Sequence, residues 1–253
     1  MRKPFVAGNW KMNTNARASV ELAQAVASGC QGVAGRSVTV ALMPPFVYLH
    51  AVVSAVRSSH IAVGAQDVYC EQDGAFTGEI SVSMLKDVGC TYVLCGHSER
   101  RHVIGETDEL VNKKVTAAIT GGLLPVLCVG ELIAERKADK TAAVVERQLR
   151  KALAGLGPEK LSAVTIAYEP VWAIGTGETA SPEQAQEVHA MIRRLLDEIG
   201  DDQLSREIRI LYGGSAKPGN AAELMAQPDV DGLLVGGASL KAQDFIAIIE
   251  AAA

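Results

Sequence analysis

Three side chains able to move a proton or fix a charge stand just past apolar runs in this sequence: Lys11, His97 and Glu169. Glu169 directly follows Val164–Tyr168, and a carboxylate at the end of a buried strand is a candidate general base. The plainer reading is an ion-paired glutamate at a rim. His97 follows Tyr92–Cys95 and one glycine, and opens the polar stretch Ser98-Glu99-Arg100-Arg101. A lone histidine is more often structural than catalytic. At a helix N-terminus, however, the imidazolium is disfavoured, and a neutral imidazole can donate to a carbonyl oxygen. Lys11 ends the run that begins at Phe5. It reads as a solvated strand end or, at the mouth of a site, as a fixed cation that attracts an anion.

Two glycine turns add a second kind of signal. Tyr212-Gly213-Gly214-Ser215 and Gly236-Gly237-Ala238-Ser239 close the last two apolar runs. Backbone N–H groups in such turns, with a short helix behind them, suit a phosphate. Either turn alone is weak, because Gly-Gly is common in turns. Between Glu169 and Ser181 lies Pro170–Ala180, an apolar segment with glycines at 175 and 177. An apolar loop that can close over a ligand would exclude water from it. A base, a neutral histidine, a cation, a phosphate cradle and a lid suit proton abstraction beside a carbonyl in a small phosphorylated substrate. The histidines at 50, 60, 97, 102 and 189 are scattered, so no metal site is signalled. No GxGxxG follows the first run, which counts against a dinucleotide fold, and such a proton transfer needs no redox or group-transfer cofactor.

These residues need elements to position them. Eight short runs rich in Val, Ile and Leu recur: Phe5–Trp10, Val38–Met43, Ile61–Ala65, Tyr92–Cys95, Leu124–Val129, Val164–Tyr168, Ile208–Tyr212 and Gly232–Val235. They lack strict polar alternation, as strands buried on both faces do. Segments of helical period separate them. The clearest begins at Ser181-Pro182, where Gln184 completes a capping box. Ala185, Val188, Ile192, Leu195, Leu196 and Ile199 then share one face, and Gly200 stops the helix. Eight strand–helix units in 253 residues predict an α/β chain folded as a (β/α)8 barrel, a single domain over 1–253. An open doubly wound sheet remains possible from the pattern alone. In a barrel, chemistry sits at the C-terminal strand ends, where the three side chains lie.

Composition excludes several classes. Hydrophobic residues make up 48% of the chain, and the net charge is −5 without a block of five like charges. That argues against nucleic acid or an anionic membrane as partner. Five cysteines without a CxxC pair read as reduced thiols. Arg2 and Lys3 precede an apolar run too short for a signal peptide. The uncharged stretch Ser37–Val56 is interrupted by Pro44-Pro45, so it reads as strand, turn and helix rather than a membrane span. The expected location is cytoplasmic.

Six motifs in order resemble those of the triosephosphate isomerases. They are Gly8-Asn9-Trp10-Lys11-Met12-Asn13, Gly74-Ala75-Phe76-Thr77-Gly78-Glu79, Gly96-His97-Ser98-Glu99-Arg100-Arg101, Cys128-Val129-Gly130-Glu131, Ala167–Gly177 and Tyr212-Gly213-Gly214-Ser215. The resemblance covers essentially the whole chain and implies a TIM barrel. The implied reaction, in glycolysis and gluconeogenesis, interconverts dihydroxyacetone phosphate and glyceraldehyde 3-phosphate without a cofactor. It further implies that Glu169 is the base and that His97 polarises the carbonyl. Lys11 and Asn9 would serve the oxygen side. Gly175, Ser215, Gly236 and Gly237 would bind phosphate. Glu99 would pair with Lys11, and Cys128 would pack behind the site. The 66–80 connection would build a homodimer, with Thr77 reaching the second subunit's site. Two positions depart from the family's habit: Glu178, where lysine is common at the lid's far hinge, and Cys95, a thiol open to oxidation if reachable.

Overall fold

The computed structural model describes residues 2–174 and 179–253. Eight parallel strands close into a barrel in sequence order: β1 (Phe5–Asn9), β2 (Thr39–Met43), β3 (Ile61–Ala65), β4 (Tyr92–Cys95), β5 (Leu124–Val129), β6 (Thr165–Tyr168), β7 (Ile210–Tyr212) and β8 (Gly232–Val235). Each expected run holds one strand: β3, β4, β5 and β8 match end to end, and β1, β2, β6 and β7 are one or two residues shorter. The open doubly wound alternative is ruled out by the pairing of β1 with β8, Phe5 opposite Gly232.

The helices lie outside this barrel. They are α1 (Ala16–Gly29), α2 (Leu49–Val56), α3 (Val82–Asp87), α4 (Asp108–Thr120), α5 (Ile133–Lys137), α6 (Thr141–Ala152), α7 (Pro158–Leu161), α8 (Pro182–Ile199), α9 (Asp202–Glu207), α10 (Ala221–Met225) and α11 (Ala242–Ala251). The stretch 37–56 is β2, a proline turn, a 3-10 turn and α2, as read. Helix α8 carries the expected capping box from Ser181 and Gln184. Gly200 ends it for a different reason than expected. Its φ is −119°, outside the left-handed region. Glycine is needed there because a Cβ would collide with the Leu204 side chain.

Two buried layers follow from strand alternation. Phe5, Ala7, Met43, Leu94, Val126, Cys128, Ala167 and Leu234 fill the barrel axis. Their neighbours Val6, Val40, Leu127 and Ile166 face the helices. Both faces of every strand are therefore dry, which is why no strand shows polar alternation.

Alternation also aims the site. Asn9 continues the inward phase of Phe5 and Ala7. Glu169 continues that of Ala167, Gly213 that of Leu211, and Gly236 that of Leu234. These residues form the next layer, at the C-terminal mouth, where the barrel stops being apolar. His97 is out of phase with inward Leu94. Gly96, at φ +70°, supplies the extra turn that brings it inward.

Candidate active site

The Glu169 side chain is 2% exposed and faces His97. His97 Nε2 donates to Oε1 at 2.9 Å, and the Ser98 N–H donates to Oε2 at 2.9 Å. The Glu99 N–H donates to His97 Nδ1 at 3.3 Å, which places the imidazole proton on Nε2. Burial by itself would raise the Glu169 carboxyl. The facing His97, the Ser98 amide and Lys11 outweigh it and hold the carboxyl below its ordinary value. Burial likewise lowers His97, but the Glu169 charge and its hydrogen bond lift it above its ordinary value. The neutral imidazole expected from a helix N-terminus thus meets a strong neighbour the sequence did not reveal. Once Glu169 leaves, burial and Lys11 remain to favour the neutral ring, opposed by Glu99.

Arg101 fixes the turn that carries His97. Its buried guanidinium donates to Gly96 O at 2.7 Å, to Asp108 Oδ1 at 2.7 Å and to Cys128 O at 3.2 Å. One side chain so ties the ends of β4 and β5 to the start of α4. On the other side, Gly130 lets the end of β5 approach Glu169: a Cβ there would collide with the Glu169 carbonyl.

Lys11 sits in the left-handed region at φ +51°. A non-glycine residue there costs on the order of 1–3 kcal/mol. Two hydrogen bonds offset a cost of that size, at about 0.5–1.5 kcal/mol each. Asn9 Oδ1 accepts the Lys11 N–H at 2.9 Å, and Gln66 Nε2 donates to Lys11 O at 2.9 Å and to Met43 O at 2.8 Å. The Lys11 ammonium pairs with Glu99 at 2.7 Å, as expected.

Asn9, Lys11, His97, Glu169, Gly213, Gly214, Ser215, Gly236 and Gly237 all line one cavity of about 620 Å³. The two glycine turns therefore share this cavity with His97 and Glu169. A 3-10 turn, Gly237–Leu240, starts at the wall, and Ser239 Oγ donates to Gly236 O at 2.6 Å to hold it. The described part of the 170–180 segment begins with a 3-10 turn, Val171–Ala173, and Ile174 reaches the cavity. Trp172 Nε1 donates at 2.9 Å to the fully buried Glu131, which also accepts from the Tyr168 hydroxyl at 3.1 Å. The Arg136 guanidinium lies 4.8 Å from the Trp172 ring centroid. Gly175 and Glu178 lie outside the described residues.

A model of the triosephosphate isomerase family matches residues 4–252. Triosephosphate isomerase of Rhodopirellula baltica is 53% identical over 253 residues, covering 99% of this chain and 98% of its own. That of Roseiflexus sp. (strain RS-1) is 53% identical over 249 residues, covering 98% and 97%, and that of Carboxydothermus hydrogenoformans 52% over 250 residues, covering 99% of each. The chain belongs to the triosephosphate isomerase family.

Of the described residues read for this family, Asn9, Lys11, His97, Glu169, Ser215, Gly236 and Gly237 line the cavity. Glu99 reaches it only through its pair with Lys11, Cys128 lies beneath it in the barrel interior, and Thr77, on the exposed 71–79 part of the 66–80 connection, does not line the cavity of its own chain. Cys128 is fully buried and burial pushes its thiol far up, which suits packing. Cys95 is equally buried with its thiol pushed up, so it is not reachable for oxidation in the folded chain. Sequence reading passed over the Ser98 amide, the Gln66 bridge, and the Tyr168–Glu131–Trp172 anchor. Only the side-by-side register of Val129 with Tyr168 brings that last group together. Among the described residues no three metal-binding side chains cluster, and no helix is long and apolar enough to cross a membrane.

Proposed function

We propose that the chain interconverts dihydroxyacetone phosphate and D-glyceraldehyde 3-phosphate by proton transfer through an enediolate, with Glu169 as the base. The activity is that of its family. The observation that carries the mechanism is the buried Glu169 carboxylate, 2.9 Å from His97 Nε2 in one cavity with both glycine turns.

The carboxylate is held by His97 and the Ser98 amide. It must leave both to reach a carbon-bound proton. A carbonyl oxygen arriving at His97 takes over the Nε2 donor, which frees Glu169 to move. Glu169 then removes the proton from one carbon and returns it to the next. The charge appears meanwhile on oxygen, beside His97 and Lys11, with Asn9 at the same wall. One preorganised donor of this kind contributes about 3–4 kcal/mol to the transition state. His97 moves the hydroxyl proton between the two oxygens, so no proton is gained or lost overall. Ser215, Gly236 and Gly237, with Gly175 of the lid, hold the phosphate chiefly through backbone N–H groups. Closure of 170–180 excludes water and keeps the enediolate from expelling its phosphate.

The same reading assigns the 66–80 connection to a homodimer, with Thr77 beside Asn9 and Lys11 of a second copy. Its support is a connection that is closed rather than floppy. Tyr69 N donates to Ile80 O at 2.8 Å, and the Tyr69 and Phe76 rings pack at 4.8 Å. Phe76, Phe46, Val47 and Met12 are left exposed on one chain, the last two at 80% and 95%. Stable interfaces cover such apolar groups. The chain works as one catalytic domain in the cytoplasm, where its five free cysteines stay reduced.

Glu169→Gln tests the mechanism. It keeps the shape and removes the base. In a coupled assay with glyceraldehyde 3-phosphate, turnover falls by at least about 10²–10⁴-fold while the circular dichroism spectrum is retained. Turnover near that of the parent refutes Glu169 as the base.

A further inference from the structure

The cavity is wider than its catalytic wall. Beyond the glycine turns it is lined by Lys217, which lies two residues past Ser215, and by Lys241, which follows the 3-10 turn begun at Gly237. Both are exposed and line the same cavity as the two glycine turns. Among the described residues neither ammonium is paired with a carboxylate, whereas Lys11 is already held by Glu99 at 2.7 Å.

Charge bookkeeping on the cavity wall gives these two residues a task. The wall carries three cations, Lys11, Lys217 and Lys241, against two carboxylates, Glu169 and Asp244, and Lys11 is already neutralised by Glu99. Without the lysine pair one cation would face two carboxylates, and the mouth would repel an anion. The chain as a whole is also negative, at −5. A phosphate monoester carries about −1.5 to −2 at neutral pH. At physiological salt the screening length is only about 8 Å. Charges at the rim therefore decide what an approaching phosphate feels, and distant ones do not.

We propose that Lys217 and Lys241 form an outer capture site that draws the substrate's phosphate into the mouth before it settles on the glycine turns. The proposal rests on the isomerase reading for its substrate. The two lysines act on approach, not on the proton transfers. Rim charges of this kind change association and its salt dependence more than the bound state.

The experiment compares the parent with K217Q/K241Q, K217R/K241R and K217E/K241E in about 0.01 M and about 1 M salt, where screening lengths are about 30 and 3 Å. In low salt K217Q/K241Q has kcat/KM reduced about tenfold, the modest end of steered association, with kcat held. The Glu pair loses more and the Arg pair matches the parent. In high salt the gap closes. Equal kcat/KM for the Gln pair and the parent in low salt overturns the proposal. So does a deficit that is the same in both salts, or one that falls on kcat. Association of glycerol 3-phosphate, followed by Trp172 fluorescence, repeats the comparison without turnover. A parent that binds it faster than the Gln pair yet does not isomerise would sink the isomerase reading and leave the capture site standing.

Discussion

Lys114→Met tests how the two halves of the site are kept in register. Lys114 lies on α4 with its side chain 2% exposed. Its ammonium bonds Asp67 at 2.6 Å and Glu106 at 2.5 Å. Arg100 completes the group, 2.9 Å from Asp67 and 2.5 Å from Glu106. Asp67 follows Gln66, which holds the Lys11 carbonyl, and Arg100 and Glu106 belong to the turn that follows His97. The cluster thus ties the Lys11 side of the site to the His97 side. Methionine keeps much of the volume but leaves two buried carboxylates with one cation. Breaking a buried pair in this way costs about 3–5 kcal/mol. For a chain of this size each kcal/mol moves Tm by roughly 2–4 °C, so the expected drop is roughly 6–20 °C.

The deficit also has a pH signature. Burial holds the Asp67 carboxyl above its ordinary range, and the Lys114 charge is the largest influence pulling it back. Without Lys114 the carboxyl rises further. A group with a raised folded pKa favours folding below its unfolded value, about 3.9, and loses that advantage as pH climbs through the folded value. The K114M deficit therefore grows from acid towards neutral pH. Adding Asp67→Asn removes one stranded charge and returns roughly 1–3 kcal/mol. The assay is thermal and urea unfolding of parent, single and double variants at one protein concentration, from about pH 5 to pH 8, alongside kcat. A K114M loss below about 1 kcal/mol at neutral pH, or a deficit that does not change with pH, refutes the reasoning.

Gly130→Ala pushes a methyl into the Glu169 carbonyl and so displaces the base. Misplacement of about 1 Å costs on the order of 10²-fold in kcat/KM, and overpacking costs about 1–3 kcal/mol, read by the coupled assay and a thermal melt. Phe76→Asp places a charge at the tip of the 66–80 connection. Sedimentation is expected to show a dimer for the parent and a monomer for the variant, with activity falling in step. A fully active parent monomer would refute the homodimer.

The sequence by itself determined the fold and pointed to most of the residues of the proposed site. Period and length are local properties, so the eight apolar runs marked their strands, and Ser181, Pro182 and Gln184 marked the start of α8. The ends of those runs are local too, which is how Lys11 and Glu169 could be placed at the C-terminal strand ends, whereas their inward direction came from the structure. The tertiary structure alone decided how those residues act on one another. Glu169 and His97 are 72 positions apart in the chain, and only closure of the barrel sets them 2.9 Å from each other. The left-handed backbone of Lys11 depends on a Gln66 hydrogen bond from a different strand end. Lys114, Asp67, Glu106 and Arg100 look like ordinary surface charges in sequence, since each is preceded or followed by a polar residue or a glycine. Packing buries the first three and makes them a bridge. Lys217 and Lys241 are likewise unremarkable until β7 and β8 lie side by side and aim both at one mouth. Hydrophobic periodicity specifies which face of an element is dry. It carries no information on which polar groups of distant elements will meet, because that is set by strand register and barrel closure.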